Sequence, residues 1–132
     1  MIDLITIEQA REHLRLDADS SGGPDDAWLA IFIPAISAAV AGWIKEPARL
    51  YVPEVDSSGF VVYDSSGEPV PAEPLAARPE IVGAILLELS SAYRYREGEG
   101  RENVVSADAG YGYMLNKSST AILMHLRKAT VR

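Results

Sequence analysis

Asp25-Asp26-Ala27-Trp28-Leu29-Ala30-Ile31-Phe32-Ile33-Pro34-Ala35-Ile36-Ser37-Ala38-Ala39-Val40-Ala41-Gly42-Trp43-Ile44-Lys45 carries no charge between its acidic start and Lys45. Residues 27–44 hold 15 hydrophobic side chains among 18, six of them alanine. Leu29, Phe32, Ile33, Ile36, Val40, Trp43 and Ile44 recur at i, i+3/i+4 spacing, which predicts a helix with a core-facing stripe. Pro24 suits its first position and Asp25 and Asp26 its positive end, so the helix is expected to run from Pro24 to about Lys45, kinked at Pro34. Its reverse side carries Trp28 and Ile31, with Ala30, Ala38 and Ala41 between. A helix apolar all round is buried all round. Short neighbours in one small chain cannot cover it, so part of this surface is expected to meet another chain. The run is long enough to raise a membrane span. Its alanine content, Pro34 and the lack of a strong cationic flank argue against one.

Three other helices flank this one. Thr6 and Gln9 form a capping box that opens a helix over about 7–15. Pro79 opens a third, ending near Glu97, with Val82, Ile85, Leu86, Leu89 and Tyr93 on one face. A last helix covers about 118–128, with Ile122, Leu123 and Leu126 inward and Arg127 and Lys128 at its negative end. The tetrapeptide Asp-Ser-Ser-Gly occurs at 19–22, 56–59 and 64–67. Asp first and Gly fourth predicts a tight turn at each copy. Leu50-Tyr51-Val52, Phe60-Val61-Val62-Tyr63 and Val70 flank the last two copies and read as a small meander. Six of the eight prolines fall in 47–79, so its strands should be irregular. The expected fold is mainly α, a bundle of about four helices in one domain. Its core is 4–46 and 79–128, with a β element at 50–71 inserted between helices two and three and a flexible connection at 98–116.

The 132 residues hold no cysteine and carry a net charge of −7. No disulfide scaffold, thiolate metal site or cysteine nucleophile can be built. The negative field argues against gripping a nucleic-acid backbone. Charge is uneven: residues 1–46 carry −5, 47–78 carry −3 and 79–132 carry +1. That asymmetry would suit head-to-tail self-association or a basic partner. Asp17-Ala18-Asp19-Ser20-Ser21-Gly22 matches the first half of a calcium loop, but the twelfth position is Trp28 rather than Glu. Phosphate-cradling and nucleophile-elbow motifs are missing, and His13 and His125 read as surface histidines. No constellation of nucleophile, base and oxyanion donor emerges, so neither an enzyme nor a bound cofactor or metal is expected.

Ile5-Thr6-Ile7-Glu8-Gln9-Ala10-Arg11-Glu12-His13-Leu14-Arg15-Leu16-Asp17, followed by Asp25-Asp26-Ala27-Trp28-Leu29, resembles the opening of the head-tail connector (adaptor) proteins of tailed double-stranded-DNA bacteriophages. The Pro79 helix ending in Tyr93-Arg94-Tyr95-Arg96-Glu97 is similar to that family's Pro-led third helix. Ala121-Ile122-Leu123-Met124-His125-Leu126-Arg127 is similar to its closing helix. Leu115-Asn116 stands where the family often has Leu-Pro, and residues 50–71 look like an elaboration. The resemblance implies a virion protein at the head-tail interface, present in host cytoplasm during assembly. Such proteins form a ring, usually dodecameric, under the portal. The ring bridges the portal to the next head-completion or tail protein and lets DNA pass without sequence-specific binding. Candidate contact residues are Trp28, Ile31 and Trp43 between subunits. Arg96, Tyr111, Tyr113, Arg127, Lys128 and Arg132 are candidates for docking on the portal or a neighbour. A small helical regulator binding one protein partner through the same apolar face is the main alternative. A DNA-binding module built on the last helix and a small hydrolase using a paired acid site are more distant ones.

Overall fold

A computed structural model describes residues 3–19, 21–94 and 115–129. Four α-helices form the fold: α1 (Ile7–Leu14), α2 (Asp26–Ile44), α3 (Pro79–Arg94) and α4 (Lys117–Leu123). Helix α3 is the hub, packing against α1, α2 and α4. Leu29, Ile33, Ile36, Val40 and Ile44 of α2 meet Ile81, Ala84, Ile85 and Leu89 of α3, and Ala10, Leu123 and Leu126 close the core. The mainly helical class and the four helices match the sequence reading.

Local chemistry sets the helix ends. The Thr6 hydroxyl accepts from the Gln9 N–H at 3.1 Å, and the Gln9 side chain accepts from the Thr6 N–H at 2.8 Å. Thr6→Ala should therefore destabilise the protein by about 1 kcal/mol, read as a lower urea midpoint at unchanged slope. Arg15 ends α1 at φ 58°, and the Leu16 N–H returns to the Arg11 carbonyl. The buried Ser37 hydroxyl accepts from the Leu4 N–H, fixing the leading segment on α2.

Helix α2 begins at Asp26, two residues after the expected Pro24. The Asp26 N–H donates to the Gly23 carbonyl, so Gly23–Asp26 is a turn leading into the helix. The helix then continues through Pro34 to Ile44. Proline removes a donor to the Ala30 carbonyl, and Ala30 is exposed, so water can replace that bond. Helix α4 is shorter than the expected 118–128. Its end tightens into a 3-10 turn over Met124–Leu126, and Arg127 is extended. That bend lets the Lys128 N–H reach the Ile44 carbonyl at 2.9 Å.

The segment between α2 and α3 departs from the expected meander. A 3-10 turn at Pro47–Leu50 leads into isolated bridges pairing Tyr51 with Ala77, Pro53 with Pro71, Val55 with Val61 and Tyr63 with Pro69. No continuous strand forms among the described residues. Proline is the reason. Pro53, Pro69 and Pro71 all occupy bridge positions and have no N–H to donate, so the flanking residues make the bonds. At the centre, the Glu54 N–H donates to Val70, Val70 to Val62 and Val62 to Glu54, closing a ring of three backbone bonds. Three short arms radiate from this ring. Two of them end in the Asp-Ser-Ser-Gly turns. Asp56 Oδ1 accepts from the Ser58 and Phe60 N–H groups, and Asp64 Oδ1 from those of Ser66 and Glu68. Gly59 and Gly67 sit at φ 84° and 85°, the left-handed conformation these turns require. The Ser66 hydroxyl and the turn N–H groups hold the Asp64 carboxyl below the usual carboxylate range.

Candidate interaction surface

The inner face of α2 is fully committed to the core, and its outer face is not. Ala27, Ala30, Ile31, Ala35 and Gly42 are exposed, with Ile31 66% accessible. Helix α2 is long and apolar enough to cross a membrane by length and composition. Its Leu29, Ile33, Ile36, Val40 and Ile44 side chains supply five of the fifteen buried apolar residues of the described core.

The aromatic residues at the two ends of α2 are anchored within the chain. Trp28 stacks on Phe32 with ring centroids 4.4 Å apart and meets Tyr93 edge-on at 5.4 Å. The Tyr93 hydroxyl donates to Asp25 at 3.1 Å, tying the end of α3 to the start of α2. Nearby, Arg11 pairs with Asp26 through two hydrogen bonds. That pairing and the Gly23 N–H hold the Asp26 carboxyl below its ordinary range. A Cβ on Gly22, at φ 107°, would run into Asp26 Oδ2, so the first Asp-Ser-Ser-Gly copy needs its glycine for space as well as for conformation.

At the other end, the guanidinium of Arg127 lies 4.6 Å from the Trp43 ring centre, and its Nε donates to the Trp43 carbonyl. Arg49 grips the buried Glu68 through two hydrogen bonds of 2.8 and 3.0 Å and donates a third to the Leu126 carbonyl. Lys128 reaches both Glu46 at 3.3 Å and Glu68 at 3.7 Å. This cluster locks the inserted arms, the Pro47–Leu50 turn and the closing segment together. Arg49 holds the Glu68 carboxyl below its usual range, against the opposing effect of burial.

A carboxyl whose pKa falls on folding adds stability above its unfolded pKa and loses it as pH drops through the folded value. Glu68, Asp26 and Asp64 all shift that way. The urea midpoint should hold steady from pH 7 to about 5 and fall below about pH 4. Glu68→Gln should flatten that fall.

Of the residues singled out in the sequence, Ile31 is exposed, while Trp28 and Trp43 are half-buried in contacts within the chain. Arg127 and Lys128 lie together beside the end of α2. Arg96, Tyr111, Tyr113 and Arg132 lie outside the described residues, as does most of the 98–116 connection. The structure adds a second exposed apolar group on the inserted arms: Phe60 at 71%, Tyr63 at 62% and Val55 at 56%. The sequence reading placed β-prone pieces there, Phe60 and Tyr63 among them, as an irregular meander without naming them as contact residues; the closely spaced turns leave each arm too short to have a covered face. Among the described residues, no group of three His, Asp or Glu side chains could hold a metal ion. No family model, curated protein or solved structure matches the chain.

Proposed function

We propose that this protein is a structural virion subunit, a head-tail connector that assembles into a ring below the portal and bridges it to the next head-completion or tail protein. The observation that carries the reading is the outer face of α2, a charge-free helix side with Ile31 exposed in its second turn and no covering element among the described residues. The resemblance supplies the rest. Its motifs fall in order on α1, the start of α2, α3 and α4, the four helices that build the core. The connector reading accounts for an acidic surface that would repel passing DNA rather than grip it.

The portal protein of the same virion supplies the test. Co-sedimentation with the assembled portal ring should carry the wild-type chain down, and Ile31→Glu should weaken that binding at least tenfold by blocking lateral contact between connector subunits. Wild-type protein that stays in the supernatant at every concentration would overturn the proposal. It would favour a regulator with a single protein partner.

A further inference from the structure

The two ends of the bundle differ in charge and shape. One end gathers the finish of α1, the start of α2, the finish of α3 and the start of α4, joined by the Arg11–Asp26 and Tyr93–Asp25 contacts. A shallow groove opens there. His13, Arg15, Arg94 and Lys117 line it, with Leu14 and Leu87 supplying apolar surface. Among the described residues, no Asp or Glu side chain lines it. In a chain of net charge −7, a groove whose charged lining among the described residues is Arg15, Arg94 and Lys117 is a local inversion of the field.

The inserted arms stand at the opposite end. Their base is fixed to the finish of α2 and the start of α3, through the Tyr51–Ala77 bridge and the Arg49–Glu68 cluster. The 19 residues of α2 separate the two ends by about 28 Å. With Arg49 and Glu68 paired to each other, Glu54, Asp56, Asp64 and Glu73 leave the arms acidic. Phe60 and Tyr63 project from the arms and are among the most exposed large apolar side chains described. An acidic surface tipped with aromatics and a basic groove with an apolar floor are complementary in both charge and hydropathy. One molecule cannot bring its own two ends together across the length of α2.

We propose that the inserted arms of one subunit dock in the groove of the next, Phe60 and Tyr63 against Leu14 and Leu87, with the arm carboxylates facing Arg15 and Lys117. This deepens the ring reading and rests on it. A contact between two different surfaces of one chain propagates in a single direction and closes into a ring when its rotation allows. The occupant of the groove is therefore a second copy of this chain.

The test uses two full-length double variants, both altered only at exposed or groove-lining positions. One carries Phe60→Glu and Tyr63→Glu and loses the arm. The other carries Arg15→Glu and Lys117→Glu and loses the groove. Circular dichroism and cooperative unfolding establish that each is folded. Native mass spectrometry should find each alone at the single-chain mass. An equimolar mixture should shift to twice that mass and no further, because one intact arm then meets one intact groove. Wild-type assembly by either variant alone, or a mixture that stays at the single-chain mass, overturns the docking. Variants that assemble normally yet lose the portal would assign the arms to the portal instead. If wild-type rings form and the variants form them too, only this contact fails. If the wild-type chain never assembles, the ring reading fails with it.

Discussion

Glu88→Ala should cost about 3 kcal/mol and release α4 from the bundle. Glu88 is 1% exposed on the face of α3 that meets α4. Its two carboxyl oxygens accept from the Asn116 backbone N–H and from the Asn116 side-chain amide, both at 2.6 Å. Asn116 is the N-cap of α4 and makes no side-chain cap of its own to that helix. Glu88 thus replaces local capping with a bond from a neighbouring helix. Each such bond contributes about 1 kcal/mol or somewhat more, and deleting buried side-chain bulk adds a similar amount. A helix of seven residues has little stability of its own and depends on this docking. Glu88→Gln keeps one acceptor and should cost about 1 kcal/mol. Hydrogen exchange provides the local readout: amides of Lys117–Leu123 should lose protection in Glu88→Ala before those of α2 do. Uniform loss across the bundle would contradict the assignment.

Leu29→Ala should cost about 3 kcal/mol, and Ile31→Ala should stay within about 0.5 kcal/mol of wild type. The two residues are neighbours on one helix and similar in size. Leu29 is fully buried, while Ile31 is 66% exposed. Chemical denaturation of the chain at low concentration, where self-association is absent, separates these effects. Equal losses at both sites would mean that the outer face of α2 is covered within the chain.

That pair also shows what the sequence could reveal. The capping box at Thr6 and Gln9 and the Asp-Ser-Ser-Gly turns were legible because each depends on a few adjacent residues with specific hydrogen-bonding groups. The committed side of α2 was legible as well: of the stripe read at i, i+3/i+4 spacing, Leu29, Ile33, Ile36, Val40 and Ile44 are buried, and Phe32 and Trp43 pack against the core. What periodicity could not separate was the reverse side, where Trp28 is held within the chain and Ile31 is exposed although both are apolar. Helix α3, with polar residues among its apolar ones, turned out to be the hub, and Glu88 did leave a trace. It lies seven residues after Ile81 and three after Ile85, on the buried face, where an acid must find donors. The β-prone side chains and six prolines of 47–79 point to short, irregular strands, and the structure goes further, reducing the pairing to isolated bridges. The closed ring of bonds among Glu54, Val62 and Val70 comes from three segments eight residues apart, a feature of topology rather than local pattern. The clustering of Arg49, Glu68, Lys128 and Glu46 is likewise long-range, spanning 82 positions between Glu46 and Lys128.

Self-association is the central claim, and the native mass of the wild-type chain across a concentration series tests it most directly. The account predicts one closed species, with twelve times the 14.3 kDa chain mass expected from the connector reading, replacing the single chain as concentration rises. A single-chain mass at every concentration would contradict it.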